Sequence, residues 1–559
     1  MATITTPPQH RRPRAGATLV AAALVFAAAL PANAATYHIS SSGGSDSNNG
    51  LSTGAPWQTF TNANALTLQP GDSVLLKRGD TWNQELYLKG SGNASSVISL
   101  GGYGTGASPV ISRTLGSNTE RCVTIEAPHR WRVSGLSLKS AKLGLYLRYL
   151  NSFNNQDVEV SDCDLRDMTN TTVDPSLHNY EFAWSCGIWI GGLAWAPNDF
   201  VNVLDGLKIR NCTFVNCQQA VGSNWYFPAV YKSRLRNVIL EDLYASGCLT
   251  GVFALSCVDG GHAWRCSSLY GGGSSPAYGT TSGFLQSCKN FQVDNCEFGW
   301  TDQINSPDGV GFDFEGDNED CSFTNNVCHH NDGAGILVMN SVSDNVRITI
   351  ANNTFHDNVR QPFAAHGAYD LLCYQATNTG TLTGNGVYRS GSTTYLSPNW
   401  GGFTQSGQRL AAFTSVSSLP KTWEFNTTNN AEGWSGYNQW ASIAVNGGCL
   451  RGTSTGADPY AHSSSTFTNR WEHPYLKVRM KNNTGTTAQV FFITETDSVW
   501  NGAKSLNFTI NPNGVQNDYT IDLRTCAAFK GVVTKLRLDP TTASGSNMAI
   551  DYVRMSATP

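Results

Sequence analysis

Basic clusters are missing from this chain. Its 37 Lys and Arg are outnumbered by 41 Asp and Glu, for a formal net charge of -4, and no Lys/Arg-rich run is present. A nucleic-acid or anionic-membrane partner is therefore not expected. Beyond residues 17 to 30 no apolar stretch is long enough to span a bilayer. The chain holds 15 Cys but no C-x-x-C pair with zinc spacing. No 3.6-residue apolar period runs through residues 133 to 387, which argues against a helical solenoid there.

What is present at the start is a leader. His10, Arg11, Arg12 and Arg14 precede the apolar run, and Ala32-Asn33-Ala34 is a small-x-small cleavage site, so residues 1 to 34 read as a signal peptide. Pro13 and Arg14 after the Arg pair favour the general secretory route over the twin-arginine one. The expected product is secreted and extracellular, monomeric, and more acidic: loss of the three leader arginines takes the formal charge from -4 to -7.

A hexapeptide recurs between Val133 and Val387. Its first position is apolar, its third small, polar or turn-forming, its fourth Cys, Asn or Leu, and its sixth usually apolar. Clear copies are Val133-Ser-Gly-Leu-Ser-Leu138, Ile209-Arg-Asn-Cys-Thr-Phe214 and Ile350-Ala-Asn-Asn-Thr-Phe355. The fourth positions are Leu136, Cys163, Cys212, Leu243, Cys266, Cys296, Asn326, Asn353 and Asn385, mostly 23 to 32 residues apart. That is the period of a solenoid coil. Short strands rich in Gly, Asn and Ser make it a parallel β-helix, right-handed by the general rule for parallel crossovers. The Asn column fits an internal amide ladder, and the Cys column fits small buried hydrophobes stacked coil on coil rather than a disulfide framework.

The architecture expected is all-β: a single-stranded β-helix over 35–413, a linker over 414–422 and a jelly-roll sandwich over 423–559. Residues 57 to 66 suggest a short helix capping the first coil, entered after Pro56. Past Trp423, runs such as Tyr475-Leu-Lys-Val-Arg-Met480 and Ala488-Gln-Val-Phe-Phe-Ile493 alternate with Asn/Gly turns, the pattern of an antiparallel sandwich.

The chemistry points to Asp308-Gly-Val-Gly-Phe-Asp-Phe-Glu315. Strand alternation sends Phe312 and Phe314 to the core and Asp313 and Glu315 outward. Aligning successive coils on Gly309, Gly333 and Gly367 makes a column of Asp308, Asp332 and His366 beside that pair, and puts Leu337 and Met339 in the places of Asp313 and Glu315. Carboxyls this close cannot all ionise comfortably, which yields an acid and a base from like residues. Asp313, Glu315, Asp332 and Asp308 are the catalytic candidates. The bland readings are turn chemistry for Asp308 and Asp332 and a solvated outer face for the pair. His366, Trp189, Trp300, Trp440 and Trp500 are candidates to contact a saccharide, with Trp225 and Trp264 as further rings near the coils.

The opening Tyr37-His-Ile-Ser-Ser-Ser-Gly-Gly-Ser-Asp-Ser-Asn-Asn-Gly50, the segment Gln69-Pro-Gly-Asp-Ser-Val-Leu-Leu-Lys-Arg-Gly79 and the Asn/Cys coils resemble the pectin-lyase-like superfamily of β-helix proteins. The paired-Asp and Gly-His-Gly motifs of its polygalacturonase-type hydrolases are absent. The tail, with Glu432-Gly-Trp434 and Ile550-Asp-Tyr-Val553, is similar to jelly-roll carbohydrate-binding domains. That resemblance implies a structural calcium at Glu424 and Asp551. The reading favoured is a polysaccharide-degrading glycoside hydrolase that needs no cofactor for hydrolysis. The alternatives are a polysaccharide lyase with calcium at the acidic cluster and Lys289 or Arg347 as base, or a non-catalytic glycan-binding surface protein.

Overall fold

The computed structural model describes residues 34–115, 120–149, 155–169, 185–191, 204–223, 234–273, 279–304, 307–389, 394–411 and 416–559. Residues 1–33 of the expected signal peptide, and Trp225, lie outside these residues. Among the described residues no helix is long and apolar enough to cross a membrane.

From Thr36 to Ala411 the chain winds into a parallel β-helix. Each full turn contributes one strand to each of three sheets, which contain thirteen, twelve and ten described strands when taken in the order the chain meets them. The hexapeptide is the corner between the first sheet and the second. Its third residue adopts the left-handed conformation in every coil that carries it: Gly135, Asp162, Asn211, Asp242, Arg265, Asn295, Asn325, Asn352 and Gly384 have φ between 50° and 68°. Gly, Asn and Asp tolerate that region best, which is why they recur there. The fourth residue then turns inward. Asn326 Nδ2 donates to Asn353 Oδ1 at 3.2 Å and Asn353 Nδ2 to Asn385 Oδ1 at 2.9 Å.

Two further ladders run parallel to this one, Asn318-Asn345-Asn378 and Asn331-Asn358. All fifteen cysteines are free and buried. The capping helix is confined to Thr61–Ala65, shorter than the sequence suggests. It packs Phe60 on Trp82 at the open end of the coil.

The last parallel strand is Arg409–Ala411, and Thr422–Trp423 begins two six-stranded antiparallel sheets by pairing with Val553 and Arg554. Their shared core includes Trp423, Trp434, Val478, Phe492 and Leu536. The sandwich docks on the second sheet of the coil. Val327, Tyr388, Val416, Phe467 and Val532 form one apolar cluster across the junction. Beside it, Arg409 clamps the buried carboxylate of Glu495 through two hydrogen bonds, at 2.5 and 2.8 Å.

Candidate active site

Asp313 and Glu315 lie on the strand Phe312–Gly316 of the third sheet, and Asp308 on the short strand Asp308–Val310 just before it. Phe312 and Phe314 are fully buried in the coil core, as alternation requires. Asp313 is on the opposite face, yet it is no solvated residue: it is 3 % exposed. Its neighbour on the next coil is Leu337, one of an apolar group with Val310, Ala334 and Leu372 that strips water from this face. Asp308 and Glu315 stay half-buried and so remain the reachable carboxyls.

This burial sets the charge states. Desolvation, reinforced by the charge of Glu315, pushes the Asp308 carboxyl up to about 7. Desolvation also raises Asp313 well above the usual carboxylate range, helped by the charge of Glu315 and a hydrogen bond to it. Burial thus favours the protonated form of Asp313 beside Glu315.

Asp308 has φ +76°, a conformation that favours glycine. A Cβ on Gly279, across the adjacent coil, would lie 1.6 Å from Asp308 Oδ2, so the absence of a side chain there makes room for the carboxyl. Strain and a shaped space together weigh against a simple turn role.

Asp332 falls in register with Asp308, and Gly333 N–H donates to the Gly309 carbonyl at 2.8 Å. The carboxylate of Asp332 is turned to Gln303 N–H at 3.0 Å and to Arg360 at 3.7 Å. This ties it down as a support of the loop. His366 is one register off the Gly alignment, because Leu371, not Asp370, pairs with Ile336, and Gln361 takes the backbone position beside Asp332. Its Nε2 still comes within 3.4 Å of Asp308 Oδ1, and burial lowers its pKa, keeping the ring neutral.

The aromatic candidates divide. Trp189 is fully buried against Leu143, Tyr146 and Cys186, and Trp440 packs in the sandwich core, so neither offers a ring face to a sugar. Trp300 stacks on His330 at 4.2 Å and on Tyr270 at 6.1 Å, while Trp500 stacks on His462 at 4.8 Å. Trp264 lies under the Arg265 guanidinium at 3.5 Å. Sequence reasoning passed over Glu297, which is buried and meets His329 at 3.0 Å. The available signal was Gly299, where a Cβ would strike the His329 ring at 2.5 Å.

Glu424 is held by Arg554 through two contacts of 2.7 Å, and Asp551 pairs with Arg479 at 3.4 Å. Arginine thus neutralises both carboxylates that the family resemblance assigns to calcium. Among the described residues, ligand atoms converge instead at His330, His356 and Asp357, all within 4.8 Å of one another. Of the two basic residues considered for a lyase, Arg347 is committed to Glu319 and Asp320 at 2.6 and 2.7 Å.

No family model matches the chain. A lacto-N-biosidase of Bifidobacterium longum subsp. longum is 47% identical over 73 residues, 12% of this chain and 5% of that protein. The chain therefore matches only a small part of that relative's length. The crystal structure of a GH136 lacto-N-biosidase from Eubacterium ramulus superposes with a TM-score of 0.54 over 68% of each chain, at 17% identity. That likeness is one of fold.

Proposed function

We propose that the chain is an exported glycoside hydrolase acting on an oligosaccharide or polysaccharide. Asp308 is the general acid, Glu315 the nucleophile or water-activating base, and Asp313 positions Glu315. The observation that carries this is the grouping of two half-buried carboxyls, Asp308 and Glu315, beside the buried Asp313, with burial and the charge of Glu315 raising Asp308 to about 7. A glycosidic oxygen needs a proton donor on one side and a carboxylate on the other, and hydrolysis by such a set requires no cofactor.

The matched relative is by name an enzyme that acts on a glycan, which supports the same reaction class. Arg347, tied into two ion pairs, gives the lyase reading no free base at that position.

The test is release of reducing ends from a panel of glycans. Glu315→Gln should lower kcat at least about 1000-fold, on the scale of a lost nucleophile or base, with the fold intact by circular dichroism. A fully active Glu315→Gln protein would rule out this assignment.

A further inference from the structure

The docked sandwich leaves a cleft of about 670 Å³ between itself and the coils, lined by Asp242, Tyr244 and Arg265 on one side and Arg470, Tyr475 and Arg524 on the other. Three guanidiniums meet there. Arg265 is neutralised by Asp242, with hydrogen bonds of 2.6 and 2.5 Å, and Arg524 by Asp522 at 2.7 Å. Arg470 is different. It has no ion pair or hydrogen bond among the described residues, and its guanidinium lies over the Trp471 ring at 5.8 Å. Burial, with the like charges of Arg265 and Arg524 set against the carboxylates of Asp242 and Asp522, pushes it down to about 10, a marked departure for arginine.

Asp242 and Asp522 are each taken up by another arginine, so the Arg470 guanidinium is left with no directly bonded anion and can accept one from a ligand. The planar fork of an arginine suits a carboxylate, and an exposed tyrosine suits a sugar ring. Tyr244, 39% exposed, stands at this cleft.

We propose that the cleft binds an acidic sugar unit, with the carboxylate of a uronate on Arg470 and its ring on Tyr244. The choice of a sugar as ligand rests on the glycan-active reading. Tyr244 belongs to the second sheet, whereas Asp313 and Glu315 belong to the third, so the cleft anchors a glycan away from the bond that is cut.

Saturation-transfer NMR on the full chain, with methyl β-glucuronide against methyl β-glucoside, tests this. The glucuronide should bind and the glucoside should not. Arg470→Met should weaken glucuronide binding at least tenfold, Arg470→Lys less, and Tyr244→Ala should weaken it while leaving competition by inorganic sulfate unchanged. Equal binding of both sugars, undiminished binding to Arg470→Met, or indifference to Tyr244→Ala would each overturn the proposal. Arg470→Met should also melt no lower than the parent, and a lower Tm would refute the unpaired state. Binding is read in the Glu315→Gln background as well, so failure of hydrolysis and failure of anion capture are separate results.

Discussion

A carboxyl at about 7 decides how this site responds to pH. If Asp308 delivers the proton, kcat/KM falls as pH rises through about 7, because the ionised form can no longer protonate a leaving group. Asp308→Asn should remove most activity, on the order of 100- to 10,000-fold, and abolish that alkaline limb. The same shift, useful for activity, costs stability. A carboxyl whose folded pKa exceeds its unfolded value of about 3.9 favours the folded state least when it is forced to ionise, so stability drops between about pH 4 and 7 and stays lower above. Asp308→Asn should therefore raise Tm at pH 8 and change it little at pH 4, measured by calorimetry. A variant that loses activity while gaining stability distinguishes a strained functional residue from a structural one. In the sequence, the alternation of Phe312, Asp313, Phe314 and Glu315 was plain. The drying of Asp313 was not, because it arises from side chains 24 or more residues away, Leu337 and Leu372, whose outward apolar character reads locally as ordinary strand.

At the level of the repeating strand and corner, the Asn ladder carries much of the order. Asn353 accepts from Asn326 N–H at 2.9 Å and donates to the Phe323 carbonyl at 2.8 Å, so removing its amide orphans a buried N–H and a buried C=O of the preceding coil. Asn353→Ala is expected to destabilise by about 3 kcal/mol, since each unsatisfied buried group costs roughly 1–3 kcal/mol. Thermal unfolding monitored by tryptophan fluorescence checks it. This ladder was visible in the sequence because the corner it occupies has a fixed length. The ladder through Asn318, Asn345 and Asn378 was harder to see: Asn318 and Asn345 stand eight residues before Asn326 and Asn353, but Asn378 stands seven before Asn385, and the segments around them lack the apolar frame of the hexapeptide. The same irregularity explains the one-residue slip at His366: the segment before Leu371 is long enough to fold back on Asp332 first.

The two halves of the molecule are joined by more than a tether. Glu495 is nearly inaccessible, with side-chain exposure of 4%, and it receives Arg409, Thr354 and the Tyr388 hydroxyl from three neighbouring coils. Breaking such a pair strands a charge, at a cost of about 3–5 kcal/mol. Glu495→Ala should split a single calorimetric transition into two, one for the sandwich and one for the coil. A transition that remains single would show that apolar contact at Phe467 and Val532 suffices for coupling. Neither half announces this junction in its own sequence, because its partners are far apart along the chain, 86 positions for Arg409 and Glu495 and 205 for Val327 and Val532.

The stacked thiols have a practical corollary. With every sulfur reduced and enclosed, no covalent bridge has to form for the chain to reach its native state. The protein should mature equally well in a cytoplasm rich in glutathione and outside the cell, and heterologous production needs no oxidising compartment.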